Sequence, residues 1–191
     1  MTTHTQSIAR YRYKTHTNRI GLWLFLLSDA FVFAGLLVSR FYLLGGTRPE
    51  LDQLVGFVVT AMLLTSSFFM NRAETAAAHG DQKTFERGIL ITLALGVLFL
   101  IGVVGVEWQI APFRASDSAM ASIFYTMTGF HAFHVLTGVI FLFIVYRNGR
   151  RGVYTPERHW PVEAAAIYWH FVDVVWVFFY PALYLMGVVA G

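Results

Sequence analysis

The sequence predicts an all-α polytopic membrane protein, a bundle of five transmembrane helices. Of its 191 residues, 57% are apolar and 13% are charged, and the charged fraction is about half that of a soluble domain. The charges also cluster, which leaves long apolar stretches between them. A membrane span needs roughly 20 apolar residues, and five windows meet that length: about 20–45, 51–72, 87–107, 119–146 and 162–189. We expect no soluble domain of any size.

Residues 1–19 form a polar, basic arm before the first span. The first apolar stretch is too long for a cleavable signal and has no convincing cleavage site, so we expect it to be retained. The arm and the second and fourth connections carry 11 Lys and Arg residues, whereas Arg40, Arg48 and Arg114 fall on the other side. By the positive-inside rule the basic side is cytoplasmic. The N-terminus is therefore predicted inside and the C-terminus outside.

The connections are short, which favours sequential antiparallel helices in one bundle. Pro49 precedes the second span, and Ser116 or Ser118 is a suitable N-cap for the fourth. In lipid, helices associate through close packing, so small residues indicate contact faces. The third and fourth spans carry such residues at Gly96, Gly102, Gly105, Gly129 and Gly138.

Cysteine is absent from the sequence. This excludes disulfides, thiolate metal sites, iron–sulfur clusters and c-type haem attachment. The sequence also has no phosphate-binding glycine loop. Nucleotide-driven and thiol-based chemistry are therefore not expected of this chain.

Asp29 is the most deeply placed acid, about 13 Å along the first span from Ile20 at 1.5 Å per residue. Ionisable groups at membrane depth are costly and are therefore candidates for function. One hypothesis is a proton-handling carboxyl. The other is a neutral acid that is hydrogen-bonded to Ser28 or to a neighbouring helix. The sequence leaves both open.

His131 and His134 lie about one turn apart on the fourth span, and His170 lies in the fifth. Haem ligation by these three histidines would define an autonomous electron carrier, but matched pairs of ligands are lacking. Zinc or copper would need further ligands and supporting carboxylates. Structural hydrogen bonding, or a lipid or subunit contact, is the favoured interpretation, and no metal site is predicted.

The fifth span carries a polar stripe of Glu163, His170 and Asp173, which Tyr180 and Tyr184 continue. Spacings of seven and three residues bring these side chains near one helix face. Such a face is costly in lipid and should contact protein, water or another subunit. We interpret it as a structural polar network. A proton-coupled transporter that uses Asp29 and Asp173 is an alternative from another class.

The fourth connection carries a basic cluster. Juxtamembrane basic residues attract anionic lipid headgroups by about 1 kcal/mol per charge. They also serve as ordinary topological charge, and the sequence alone does not separate these two roles. The lipid-binding candidates are Arg147, Arg150, Arg151, Arg158 and His159.

Five blocks of sequence resemble one known family. "GLWLFLLSDAFVFAGL" (21–36) has a serine–acid pair in mid-helix, and "LLTSSFFMNRAETA" (63–76) has a double serine. "LGVLFLIGVVGVEW" (95–108) is similar to a helix that ends in an exposed glutamate. "FYTMTGFHAFHVLTG" (124–138) and "HWPVEAAAIYWHFVDVVWVFFY" (159–180) complete the set. In this order they resemble subunit III of haem–copper respiratory oxidases, in its five-helix form.

The resemblance implies a helical bundle beside catalytic subunit I, with subunit II in the same complex, bound phospholipid and no nucleic acid. Haem and copper are expected in those partners and not in this chain. Asp29 falls on the family's membrane-embedded carboxyl. The histidine, Glu163 and Asp173 positions match motif positions and carry over as structural, lipid-contact or subunit-contact residues.

The resemblance leaves the electron donor open. Aspartate at position 29 and the ending "YLMG" are similar to quinol-oxidising relatives, whereas many family members serve cytochrome c oxidases. The related accessory subunit of nitric oxide reductases is a further alternative. The expected location is the plasma membrane of a bacterium or an archaeon.

Overall fold

A computed structural model describes the backbone of residues 2–189 and the side chains of residue 11 and residues 13–188. Its helices are α1 (Thr2–Leu44), α2 (Gln53–His79), α3 (Gln82–Leu100), α4 (Trp108–Ile110), α5 (Ala119–Gly149) and α6 (Trp160–Tyr180). Two π-helical segments, π1 (Ile101–Glu107) and π2 (Pro181–Leu185), follow α3 and α6. Two short strands, β1 (Thr47–Arg48) and β2 (Val188–Val189), pair in parallel.

Five helical stretches are long and apolar enough to cross a membrane, so the predicted number of spans is confirmed. They are Tyr13–Leu44, Gln53–His79, Gln82–Ile110, Ala119–Gly149 and Trp160–Leu185. The third span therefore consists of α3, π1 and α4, and the fifth consists of α6 and π2. The orientation of the termini and the division at residue 19 remain predictions.

The boundaries differ from the sequence prediction at both ends of the chain. Helix α1 begins within the predicted arm, because the polar residues before the span continue its helical turns. The fifth span ends at Leu185 instead of 189, because Met186 is extended and Gly187 has a φ of 107°. Met1, Ala190, Gly191 and the side chains of Arg10 and Arg12 lie outside the described parts of the chain.

Polar residues fix the helix ends at the connections. The Asp52 side chain accepts hydrogen bonds from Leu54 N (2.8 Å) and Val55 N (3.0 Å) at the start of α2. Asp81 accepts from Thr84 N (3.1 Å) at the start of α3. Ser118, one of the two predicted caps, accepts from Ala121 N (3.1 Å) at the start of α5. These bonds satisfy amide groups that have no partner within the helix.

Helix α6 lies at the centre of the bundle, and two fully buried tryptophans anchor it. Trp169 Nε1 donates to Ser66 Oγ (2.9 Å), and Trp176 Nε1 donates to Thr60 Oγ1 (2.9 Å), both on α2. The Trp169 ring lies so close to Gly96 that a Cβ there would stand 2.6 Å from it. The sequence prediction that small residues mark contact faces is confirmed at this position.

The other predicted small-residue positions differ in how closely they are approached. A Cβ at Gly138 would stand 3.0 Å from the Trp169 ring, and one at Gly102 would stand 2.5 Å from Val59. A Cβ at Gly129 would meet Trp108 only at an ordinary 3.6 Å. Gly105 is different, because its nearest atom belongs to its own helix. Close packing is therefore concentrated where α3 and α5 meet α6 and α2.

The C-terminal ends of α1 and the fifth span meet at Arg40. The sequence count grouped this residue with the outer loop charges, but the structure buries it fully within α1. Its guanidinium donates hydrogen bonds to four carbonyl oxygens, those of Gly45 (3.1 Å), Thr47 (2.9 Å), Ala182 (2.7 Å) and Met186 (3.0 Å). Because carbonyls at helix C-termini carry partial negative charge, they stabilise the cation. We refer to this set as the Arg40 cluster.

Candidate functional site

The Asp29 carboxyl contacts a histidine of a neighbouring helix. Asp29 lies between Arg19 and Arg40 in α1, and its Oδ2 is 3.5 Å from His134 Nε2 in α5. Nδ1 of His134 is 2.7 Å from the Phe130 carbonyl oxygen. A carbonyl only accepts, so Nδ1 carries a proton, and Nε2 of a neutral ring presents a lone pair to the carboxyl. The carboxyl and Nε2 therefore face each other at a distance longer than a normal hydrogen bond.

A cavity of about 480 Å³ opens at this pair between α1, α5 and α6. Its polar lining residues include Thr137 and Tyr168, whose hydroxyl oxygens are 2.7 Å apart. The Tyr168 hydroxyl also donates to the His134 carbonyl oxygen (3.1 Å). Its walls are apolar and mostly aromatic, formed by Leu22, Phe25, Phe133 and Phe141. The arrangement places the contact between Asp29 and His134 within an apolar span, with the hydroxyl groups of Thr137 and Tyr168 beside it.

The predicted stripe on the fifth span divides into two clusters. Glu163 forms an ion pair with Arg19 of α1 and lies 3.2 Å from His159 Nε2. Farther along the helix, His170 Nδ1 lies 3.1 Å from Ser67 Oγ on α2. Asp173, which is 6% exposed, also interacts with the Ser67 hydroxyl. Ser67, absent from the predicted network, connects the second cluster to α2.

His131 is fully buried and is surrounded by aromatic rings. The ring centroid lies 4.8 Å from that of Trp176 and 5.5 Å from that of Phe99. Neither ring nitrogen has a hydrogen-bond partner among the described residues. The structure thus differs from the predicted polar network at this position, because aromatic side chains enclose the ring. Across residues 11 and 13–188, no three His, Asp or Glu side chains come together as a possible metal site.

The basic cluster is also divided. Arg147, Arg150 and Arg151 are exposed at the end of α5, and the Arg150 guanidinium lies 5.9 Å from the centre of the Tyr146 ring. Arg158 lies over Tyr11 of α1, with its guanidinium carbon 5.6 Å from the ring centre. His159 belongs to the cluster of Glu163. Three of the five lipid-binding candidates therefore form one exposed basic surface, and the other two lie beside the part of α1 that carries Tyr11 and Arg19.

Glu107 and Tyr184 form a buried pair that the sequence analysis missed. The prediction that the third span ends in an exposed glutamate is wrong, since Glu107 is 1% exposed. Its Oε1 accepts a hydrogen bond from the Tyr184 hydroxyl. Both residues lie on π-helical segments, which shift later side chains around the helix axis relative to an α-helix. The polar stripe that ends at Tyr184 was the available signal.

Comparison with known proteins identifies the family. A family model for cytochrome c oxidase subunit III matches residues 4–188. The chain belongs to the cytochrome c oxidase subunit III family. This family supplies a subunit of cytochrome c oxidase, a multi-subunit oxidoreductase complex. The predicted family and the predicted class of integral membrane protein are both confirmed.

Three subunit III relatives illustrate the similarity. Cytochrome c oxidase subunit 3 of Pylaiella littoralis is 36% identical over 182 residues, which cover 88% of this chain and 66% of the relative. The protein of the same name from Dasypus novemcinctus is 36% identical, with 88% and 69% covered. That of Thermostichus vulcanus is 34% identical over 176 residues, with 87% and 86% covered. The chain thus spans about two thirds of the length of the first two.

Proposed function

We propose that this subunit III has no active site of its own and that it supports a proton-pumping haem–copper oxidase in aerobic electron transport. It contacts subunit I directly and shares the complex with subunit II, and those partners hold the haem and copper. Its roles are to stabilise the complex, to bind phospholipid and to assist proton uptake by subunit I. The proposal includes the plasma membrane of a bacterium or an archaeon, with the N-terminus inside.

The contact between Asp29 and His134 is the observation that supports the proton role. A carboxyl at membrane depth is expensive unless it is neutral or paired. Here the Asp29 carboxyl lies 3.5 Å from His134 Nε2, and a cavity with further polar groups adjoins the two residues. This position, facing a histidine and beside a cavity, is the reason for assigning the proton role to Asp29. The same geometry does not suit metal ligation or nucleophilic catalysis.

The test is Asp29→Asn in the purified complex in liposomes, which keeps the size of the side chain and removes its titration. We expect normal assembly with slower proton uptake and earlier loss of activity during turnover. Ser28→Ala is the matched control, since Ser28 is the exposed neighbour on the same helix. Unchanged uptake and unchanged activity over many turnovers would leave Asp29 with a structural role only.

The exposed basic surface at the end of α5 supports the lipid-binding role. Arg147, Arg150 and Arg151 lie where the helix leaves the membrane, within reach of headgroup phosphates. Their joint replacement by Gln should remove tightly bound anionic lipid, which native mass spectrometry of the complex measures. The control replaces Arg72, Lys83 and Arg87, three cations of the other inner connection. Equal lipid retention in both variants would mean that the basic surface acts only as topological charge and does not bind lipid.

The electron donor separates the remaining alternatives. The relatives are named for cytochrome c oxidase, which supports cytochrome c. Subunit III of a quinol-oxidising oxidase and the related accessory subunit of a nitric oxide reductase remain the alternatives. A dinuclear copper motif of Cys, His and Met in the neighbouring subunit II is the expected finding, and its absence would indicate quinol. A haem absorption band or proton-coupled transport by the isolated chain would favour the carrier or transporter hypothesis.

A further inference from the structure

Helix α1 is held in the bundle differently from the other spans. Only 11% of its most apolar 18-residue window is buried, compared with 28 to 61% for the other four spans. It packs mainly on α5 and α6. Because lipid is as apolar as the helix, apolar surface gives little force for docking. The polar contacts of α1 therefore determine how firmly it is attached.

At the outer end, the attachment is the Arg40 cluster. The guanidinium is buried and its four acceptors are backbone carbonyls, two of them at the end of the fifth span. Strand β2 adds a bond from Val188 N to the Gly46 carbonyl oxygen (2.8 Å). Solvent ions do not screen a buried site of this kind effectively.

At the inner end, the attachment is an ion pair near the surface. Arg19 bonds Glu163, and the Arg19 side chain is 52% exposed. Its guanidinium lies 5.5 Å from the centre of the Trp160 ring. Tyr11 of the same helix accepts a hydrogen bond from Trp160 N (3.1 Å). Exposed ion pairs contribute about 0–1 kcal/mol and weaken with salt, so this end is held more weakly.

Two grooves separate these attachments. One of about 290 Å³ lies between α1 and α6 and is lined by residues such as Phe33 and Phe178. The other is the 480 Å³ cavity at Asp29 and His134. Their 3.5 Å contact lies between the ends and is longer than a normal hydrogen bond. Apart from Leu26 and Phe33, which are buried, with Phe33 packed edge-on against His134, the middle of α1 makes few contacts that resist a tilt.

We propose that α1 pivots about the Arg40 cluster and opens at its inner end when the bond between Arg19 and Glu163 breaks. Arg19 and Arg40, the attachment residues at the two ends of this helix, are 21 positions apart, or about 31 Å at 1.5 Å per residue. A tilt of about 10° moves the inner end by about 5 Å. Such a tilt widens both grooves toward the inner surface and lengthens the contact between Asp29 and His134. The ion pair thus controls access to the grooves.

The experiment measures two spin-label distances in the purified complex in lipid nanodiscs. The inner pair is Asn18→Cys with Lys83→Cys, and the outer pair is Tyr42→Cys with Leu54→Cys; all four positions are exposed. The chain has no cysteine of its own, so each pair is unique within it. The complex with the cysteine-free chain, treated with the same label, reports labelling of the partner subunits. Arg19→Gln is then added to each pair.

We expect Arg19→Gln to broaden the inner distance and to shift it by about 5 Å, with the outer distance unchanged. Raising the salt concentration from about 0.05 to 1 M should move the parent complex in the same direction. Arg72→Gln is the matched control, because it removes one exposed cation of α2 that lies outside the proposed lipid-binding surface, and it should change neither distance.

Two results would overturn the proposal. An inner distance that is unaffected by both Arg19→Gln and salt means that the ion pair does not hold the helix. An equal shift of both distances means that α1 leaves the bundle as a whole and does not pivot. If Arg19→Gln fails to assemble, the salt series on the parent complex decides between these outcomes. The result does not depend on proton uptake, so it can fail while the proton role of Asp29 stands.

Discussion

Helices α1 and α6 cross the same bundle but are held by different interactions. Around α6, two buried tryptophans donate to hydroxyl groups of α2, and the ring of one of them, Trp169, fits against Gly96 and Gly138. Helix α1 leaves most of its apolar surface exposed and is attached at separate points by Arg19, Asp29 and Arg40.

The difference indicates how one membrane protein can contain a rigidly packed helix, α6, and a helix that we propose to move, α1. Close packing acts over the whole length of a helix and resists any displacement. Separate polar contacts act locally, so one end is released without the other. Asp29, the residue proposed to handle protons, lies on the locally attached helix and faces His134 of α5, so a small movement of α1 changes its surroundings.

The largest expected effect comes from breaking the close packing of α6. Gly96→Val places side-chain atoms where the Trp169 ring now lies, since a Cβ alone would stand 2.6 Å from it. Overpacking of this kind costs about 1–3 kcal/mol. The temperature at which the chain dissociates from the purified complex should fall. Gly105→Val, on the same span but facing open space, should leave that temperature nearly unchanged; equal losses would contradict the packing argument.

A more local loss is expected at the Arg40 attachment of α1. Arg40→Met removes four hydrogen bonds, and at about 0.6 kcal/mol per bond in a membrane the loss is about 2 kcal/mol. Proteolysis of intact complexes should then cut the outer end of α1 more readily. Arg48→Met removes a cation from the same side without these bonds and serves as the control. Full resistance of Arg40→Met would mean that packing holds this end.

The smallest expected effect lies in the inner connection that leads into α6. Burial raises the pKa of Tyr154, whose ring meets Phe85 edge-on with centroids 6.2 Å apart. A raised pKa contributes stability below the usual tyrosine pKa of about 10, and this contribution is lost as the pH rises through the raised pKa.

Tyr154→Phe should therefore reduce the slope with which the thermal stability of the complex falls with pH above about pH 10. Tyr13→Phe replaces a tyrosine that is 79% exposed and should not change the slope. An unchanged slope in Tyr154→Phe would show that other groups dominate the alkaline loss.

The number of spans, the cap at Ser118 and the packing glycine Gly96 were all predictable, because each depends on local composition or on residue size. Span ends were less predictable, since polar residues continue a helix beyond the membrane and π segments follow no simple pattern. Glu107 illustrates this difficulty. An acid near the end of a span resembles a surface residue as long as the position of the π turn is unknown.

The contacts of the candidate site were harder to predict. Asp29 was recognisable as an acid at membrane depth, but its partner His134 is 105 positions away and the two helices meet only in the fold. Likewise, Arg40 resembled a loop charge because its acceptors are backbone carbonyls, which leave no mark in the sequence. Residue type identified the candidates, and tertiary structure determined their partners.

The Arg40 cluster also orders events during translation. Its acceptors at Ala182 and Met186 follow Arg40 by 142 and 146 residues. At about 5–20 residues per second, the ribosome adds that length in roughly 7–30 s. Throughout this interval the first helix occupies the membrane with its guanidinium unsatisfied by these carbonyls. Helix α1 is therefore made well before the segment that secures its Arg40 end, and a nascent chain cut short before Ala182 lacks two of the four acceptors of that guanidinium.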